Sequence, residues 1–523
     1  MLKTQVLIIG GGATGTGLAR DLALRGVRCI VAEQGDINSG ASGANHGLLH
    51  SGGRYVFKDP DVAAECRAEA ELLKQMAPQC IEATDGLFIA VEGDDEKYAA
   101  DFPGYCSACG IPVKAVDPRE ARELEPALSS KIIAAYMVRD ATIDPFMLSL
   151  QNIFQASQHG TTLLRHHKIT GFHKSNRHIT SVGLVNLVSG EKIIVEADQV
   201  VNAAGAWAGE IAALAGAHIK MAYSKGTLLV THSRVTSRVI NRLRKPDDGD
   251  ILVPGGTVSI LGTTSERIDS LDQIFPTVRE ADRVVTEGAA MIPELETMRY
   301  IRAFAGVRPL ISSGENNSDR NASRGHILLD HLIDGLENFA TISGGKLTTY
   351  RYMAEKTADL VSNRMGITRP CLTRTDPLPA AVPCSWTEPG IAPRRWMKKH
   401  TPEDLLLCEC EMVPTSAVDN VIASLRDQNG NVDLTSVALR TRVGKGSCQG
   451  AFCGFRVAAH MYNTGQLKAD NGINDLKKFF RERWKGLRPV LWDGQLIQTE
   501  LTEALHCGFL GLEIKQENQS DIH

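Results

Sequence analysis

Gln5-Val6-Leu7-Ile8-Ile9-Gly10-Gly11-Gly12-Ala13-Thr14-Gly15 is the stretch that decides the fold. The unbroken apolar run Val6–Ile9 reads as a parallel strand covered on both faces. A glycine turn follows. A helix then spans about Thr14–Arg25 and stops at Gly26, a natural C-cap. Val27–Ala32 reads as the next strand, with Glu33 at its end. In Gly10-x-Gly12-x-x-Gly15 each glycine has its own task. The first permits the tight turn, the second admits a pyrophosphate to the backbone, and the third lets helix pack on strand. The helix N-terminus supplies N–H groups and positive dipole to that anion. Glu33, 18 residues past Gly15, stands where a ribose hydroxyl would need an acceptor. Gly10, Gly12, Ala13, Thr14, Gly15 and Glu33 are therefore the expected nucleotide ligands, joined by Ser42 of the next loop.

Working outward, Val200-Val201-Asn202-Ala203-Ala204-Gly205 is a second apolar strand ending in a small-residue turn. Flavoproteins of the glutathione-reductase kind lean such a strand on the nucleotide turn. The long separation of the two segments suits an inserted substrate domain, so FAD is expected rather than NAD. Ala204 and Gly205 join the FAD ligands. Between them, strands are expected near Gly86–Val91 and Ala134–Val138, and helices over Val62–Met76 and Asp144–His159. Lys192–Val195 and Gln199–Ala203 read as two strands, and Lys346–Met365 as one long helix. Prolines crowd residues 366–404, which read as a linker to a separate unit.

At 523 residues the chain exceeds one compact core and should form two or three domains. A net charge of −4 offers no overall basic field, so no nucleic-acid partner is expected. No signal peptide or long apolar span is visible, which points to a cytoplasmic location. Of twelve cysteines, four are patterned: Cys408 and Cys410, then Cys448 and Cys453. In a reducing compartment such spacing suggests metal ligands rather than disulfides. Sulfur-only ligation suits an iron–sulfur cluster or zinc. The pair Cys106 and Cys109 has no second pair nearby and reads as helix packing.

Three longer motifs carry a family resemblance. They are Ser39–Tyr55, containing Asn45-His46-Gly47-Leu48-Leu49-His50-Ser51-Gly52-Gly53-Arg54-Tyr55; Ala305–Leu310; and Gly344-Gly345-Lys346-Leu347-Thr348-Thr349-Tyr350-Arg351. Together they resemble the FAD-dependent glycerol-3-phosphate dehydrogenase family, in its anaerobic multi-subunit branch, over about residues 4–513. The resemblance implies a D-amino-acid-oxidase-like α/β fold: a Rossmann-like FAD-binding domain with an inserted sheet-based substrate domain. A small C-terminal α+β cysteine-rich domain of the [2Fe–2S] type would follow. The nucleotide domain would comprise about 1–60, 150–220 and 300–365, the substrate domain about 61–149 and 221–299. The linker 366–404, the cluster domain 405–470 and a tail 471–523 complete the chain.

The resemblance also implies an activity: oxidation of sn-glycerol 3-phosphate to dihydroxyacetone phosphate. Electrons would pass to a second flavin subunit and an iron–sulfur membrane-anchor subunit of a heterotrimer, then to quinone. The chain would thus lie at the inner face of the membrane through its partners. A phosphate calls for fixed arginines, and Arg54, Arg308 and Arg324 sit in the matching motifs. A base that titrates near neutrality favours His50, with His46 and His232 lesser candidates. Gly344, Gly345, Lys346, Leu347 and Thr348 would aim backbone donors at the reduced flavin, and Lys346 would add its charge. The cysteine segment resembles bacterioferritin-associated-ferredoxin-like [2Fe–2S] domains, although four residues separate Cys448 from Cys453 where the simplest have two. In the tail, Leu496, Leu501, Leu505 and Leu510 suggest an amphipathic helix. The basic stretch with Arg481, Arg483, Trp484, Lys485, Arg488 and Trp492 suits a membrane surface or, preferably, docking on the FAD domain or a partner. Rival readings are a related enzyme acting on a 2-hydroxy acid or amine, and a non-catalytic electron-transfer subunit.

Overall fold

A computed structural model describes residues 1–272, 274–311, 325–379, 398, 401–427 and 432–512. Arg324 lies outside them. β1 (Leu2–Ile9) runs parallel to β2 (Cys29–Glu33) on one side and to strand Lys192–Asn202 on the other. Its residues alternate between two apolar layers. Val6 and Ile8 meet Leu18 and Leu22 of α1 (Ala13–Leu24), while Leu7 and Ile9 face Val200, Ala212 and Phe339. Burial on both faces explains the unbroken apolar run. Thr162–Arg165 extends the sheet beyond β2, and Phe339–Gly344 pairs in parallel with Lys192–Asn202. α1 packs against helices Pro145–Gln158 and Tyr350–Arg364.

A second sheet of nine strands holds Gly86–Val91, Val113–Val116, Ile132–Val138 and the strands between Met221 and Ile311. Helix Val278–Met291 covers it through Ala281, Val284 and Met291. Strand Tyr300–Ile311 pairs along its length with Met221–Thr231. The part of segment 300–365 expected in the nucleotide domain therefore begins in the second sheet. That sheet thereby delivers Arg308 opposite Ser224.

Two further expectations are corrected. Residues 192–202 form one strand rather than two. Its start pairs antiparallel with His178–Asn186 and its end parallel with β1, so a single extended segment serves both partners. Residues 366–379 are not a loose linker. Leu378 is buried in the core and its N–H donates to the Met76 carbonyl at 2.7 Å. Arg20 and Asp21, buried on α1, bind the Asp376 carbonyl and the Cys371 thiol. The tail forms two helices, Ala469–Leu487 and Gly494–Leu510, parted at Pro489, whose ring cannot continue a helix. Among the described residues no helix is long and apolar enough to cross a membrane.

The C-terminal unit is also not separate. It comprises a short hairpin, Leu406–Cys408 with Val413–Pro414, and helices around one apolar core. Arg440 forks onto Asp36 with two bonds of 2.9 Å, and Arg165 adds a third at 3.0 Å. Arg442 reaches Asp144 at 3.3 Å, and Val490 is buried in the core of the second sheet. Burial would raise the Asp36 carboxyl, but Arg440 and Arg165 outweigh it and hold it below the carboxylate range. Its stabilisation is therefore present above the ordinary value of about 4 and is lost as pH falls through the lowered folded value. Asp36→Asn should destabilise the chain by about 3 kcal/mol at neutral pH, and by progressively less in acid. Urea melts across pH check this; equal loss at every pH would refute the assignment.

Candidate active site

The glycine turn works by close approach. Gly10 has φ +115°, and a Cβ there would lie 2.5 Å from the Ala203 carbonyl oxygen. The Ala203 N–H in turn donates to the Ile9 carbonyl at 2.8 Å, so the second strand leans on the turn as expected. A Cβ at Gly15 would meet the Gly10 carbonyl oxygen at 2.0 Å. Ser42 Oγ accepts from Ala13 N–H at 2.9 Å and lies 3.0 Å from where a Gly12 Cβ would be. Glu33 accepts from Gly11 and Gly35 N–H, each at 2.7 Å. Each carboxylate oxygen keeps lone-pair capacity for a ribose hydroxyl. Burial raises this carboxyl above its ordinary value.

From this turn a cavity of about 1020 Å³ runs between the two sheets. It is as large as the largest ordinary ligand pockets, with room for a dinucleotide and a small substrate. Gly10, Gly12, Ala13, Thr14, Glu33, Ser42, Ala204 and Gly205 line one end. His46, His50, Arg54, Tyr55, Arg308, Gly344, Gly345, Lys346 and Leu347 line the other. Gly15 and Thr348 are not on its wall. Gly15 acts through packing, while Thr348 Oγ1 accepts from His50 N–H at 3.1 Å. His232 is not on the wall either; its N–H donates to the Arg299 carbonyl at 3.0 Å.

The backbone donors expected at the second glycine turn are partly committed. Gly345 N–H donates to the Gly325 carbonyl at 3.0 Å, and Lys346 N–H to Thr349 Oγ1 at 3.3 Å. The donors left to a ligand are those of Leu347 and Thr348, in the first turn of the helix segment. Lys346 Nζ sits 4.3 Å above the Tyr55 ring. His50 meets that ring edge-on at 5.3 Å, with Nε2 3.4 Å from the Tyr55 hydroxyl.

The arginines differ. Arg308 donates to Ser224 Oγ at 3.3 Å, to Thr263 Oγ1 at 3.2 Å and to the Thr264 carbonyl at 3.2 Å, all neutral acceptors. Arg54 is tied to Asp250 at 2.8 Å, and Asp250 also takes Arg244 at 2.9 Å. Sequence reading missed the threonine cradle. The polar run Thr263-Thr264-Ser265 after an apolar strand was its available signal. Behind it, buried Glu280 accepts from Thr264 at 3.2 Å, Thr227 at 2.9 Å and Lys225 at 2.9 Å.

In the C-terminal unit Cys408, Cys410, Cys448 and Cys453 lie close enough to act on one another, and Cys410 and Cys453 together pull the Cys448 thiol far down. Gly446 makes room, since a Cβ there would lie 2.5 Å from Cys410 Cβ. Among the described residues, no group of three or more His, Cys, Asp or Glu is arranged to hold a metal ion as it stands. Cys106 and Cys109 pack in the core beneath helix Glu96–Ala108, as expected.

A dinucleotide cradle and a cavity closed by a second sheet define an FAD-dependent oxidoreductase. The family model described as FAD dependent oxidoreductase matches residues 5–360, and the chain belongs to that family. Within it the chain belongs with the A subunits of anaerobic glycerol-3-phosphate dehydrogenase. It is 42% identical to that subunit of Escherichia coli (strain K12), over 99% of this chain and 98% of the relative. Subunit A1 of Haloferax volcanii is 36% identical over 96% of this chain and 90% of its own. The glycerol-3-phosphate dehydrogenase of Bacillus halodurans, solved with FAD, shares the fold with a TM-score of 0.65 at 19% identity. It covers 94% of this chain and 96% of its own.

Proposed function

We propose that the chain oxidises sn-glycerol 3-phosphate to dihydroxyacetone phosphate. The observation that carries this reading is Arg308, whose guanidinium is positioned by Ser224, Thr263 and Thr264 at the wall of the cavity that bears the dinucleotide cradle. A planar cation in a low-dielectric pocket suits a phosphate dianion. Lys346 faces the same space, and Arg54, already offset by Asp250, serves more as anchor than as clamp. Arg324 remains a proposed phosphate ligand from its motif alone. An amine or plain hydroxy-acid substrate would not call for a phosphate site.

FAD, when bound, would accept the hydride leaving C2. Glu33, the glycine turn and Ser42 would hold its nucleotide half, and Leu347 and Thr348 N–H would face its other end. His50 would take the hydroxyl proton, its ring held against Tyr55 and its backbone against Thr348. The four thiols suit a [2Fe–2S] cluster better than zinc. One buried atom supports an anionic occupant: Arg483 Nη1, on a guanidinium that feels Cys453 and Cys448, has no hydrogen-bond partner. Such a cluster would pass single electrons to a second flavin subunit and an iron–sulfur membrane-anchor subunit, and thence to quinone. The chain would then work in the cytoplasm, at the inner face of the membrane.

Anaerobic mixing of the FAD-loaded chain with sn-glycerol 3-phosphate should bleach the flavin, whereas glycerol, glycine and 2-hydroxyglutarate should not. Bleaching by one of those three alone would sink the reading. Arg308→Ala should raise KM about 10–100-fold with flavin content unchanged; an unaltered KM would remove Arg308 from the phosphate site. Cys453→Ser should lose iron and its visible absorbance yet keep FAD. Full iron content in that variant would overturn the ligand assignment.

A further inference from the structure

Among the described residues, His46 Nε2 is the one buried side-chain nitrogen or oxygen on the cavity wall without a hydrogen-bond partner. A buried polar atom left unpaired costs about 1–3 kcal/mol, so a native site that keeps one implies a ligand that pairs it. The ring also hydrogen-bonds the Gly262 backbone. Because Nε2 is unpaired, that bond belongs to Nδ1, which donates to the carbonyl. The tautomer follows: Nε2 carries a lone pair and can only accept.

We propose that His46 is a specificity residue whose Nε2 accepts a hydrogen bond from the terminal C1 hydroxyl of the substrate. This rests on the reading of the substrate given above. Glycerol 3-phosphate presents a phosphate, a reacting hydroxyl and a terminal hydroxyl. Arg308 suits the first and His50 the second. The terminal hydroxyl is the donor still to be matched, and His46 Nε2 is the acceptor still to be matched.

The charge state agrees. Burial, together with the charges of Arg308 and Arg54, pushes the His46 pKa down to about 3. The ring is neutral at working pH, a steady acceptor and a poor base. This separates it from His50, four residues on, whose ring lies beside the Tyr55 hydroxyl. A site built around a substrate hydroxyl rejects the analogue that lacks it, because the buried acceptor is then stranded.

The test compares sn-glycerol 3-phosphate with 2-hydroxypropyl phosphate, which lacks only the terminal hydroxyl, on the FAD-loaded full chain. The readouts are anaerobic flavin bleaching, flavin content and binding of inorganic phosphate. Wild-type protein should prefer the natural substrate in kcat/KM by on the order of 10²-fold or more. His46→Leu should shrink that preference to under about tenfold, with phosphate binding unchanged. His46→Gln, which keeps an acceptor, should restore part of it. A wild-type protein that uses both compounds equally overturns the proposal without any variant. So does a preference that His46→Leu leaves intact. A variant that weakens inorganic phosphate and both substrates alike makes His46 a phosphate contact and also overturns it. Absence of bleaching of the wild-type flavin by sn-glycerol 3-phosphate would instead strike the proposed function, so the two failures are distinct.

Discussion

The structure depends on two missing Cβ atoms. At Gly10 the backbone passes so close to Ala203 that any side chain would overlap the carbonyl, and Gly15 presses on Gly10 in the same way. These contacts stack β1, the turn, α1 and strand Lys192–Asn202 into one unit. The helix N-terminus then faces a cavity instead of protein. Were the helix to stand off, the N–H groups of its first turn would point at solvent and the anion site would dissolve. Everything further along the cavity is positioned relative to that seat.

The second sheet completes the cavity from above. Its strands bring Ser224, Thr263, Thr264 and Arg308 to one point, and Glu280 braces them from behind. A guanidinium paired with a buried carboxylate, as Arg54 is with Asp250, has much of its field cancelled. Burial, with the charges of Arg308 and Arg54 added to it, keeps His46 neutral. One electrostatic arrangement can thus favour an anion at one place and preserve a neutral acceptor at another.

Local features were legible in the sequence and non-local ones were not. β1, α1 and β2 could be read because apolar run, glycine spacing and C-cap all lie within one βαβ unit. Strand Gly86–Val91 matched its expected bounds, since it is buried along its whole length. The cradle of Arg308 was invisible because Thr263 and Ser224 lie 45 and 84 residues away. Residues 366–379 of the expected linker pack on the core because proline content reports turns, not freedom. Arg20 and Asp21 on α1 are buried and hold residues 371–376 in place, a contact between segments about 350 residues apart that no local pattern reports. The tail helix read from Leu496 to Leu510 is present as Gly494–Leu510, its apolar spacing being local, and helix Ala469–Leu487 stands before it.

The docking of the C-terminal unit has a consequence for how the two halves work together. Glu33 and Asp36 leave the same end of β2, three residues apart. Glu33 faces the nucleotide cavity and is fixed by Gly35 N–H at 2.7 Å. Asp36 faces outward and is gripped by Arg440 from the thiol-bearing unit. A shift of that unit would pull on Asp36 and, through the intervening turn, on Glu33. The ion pair is largely shielded from solvent, so neither partner can leave it at low cost. Nucleotide seat and thiol unit therefore share one anchor. That arrangement holds the two at a fixed geometry.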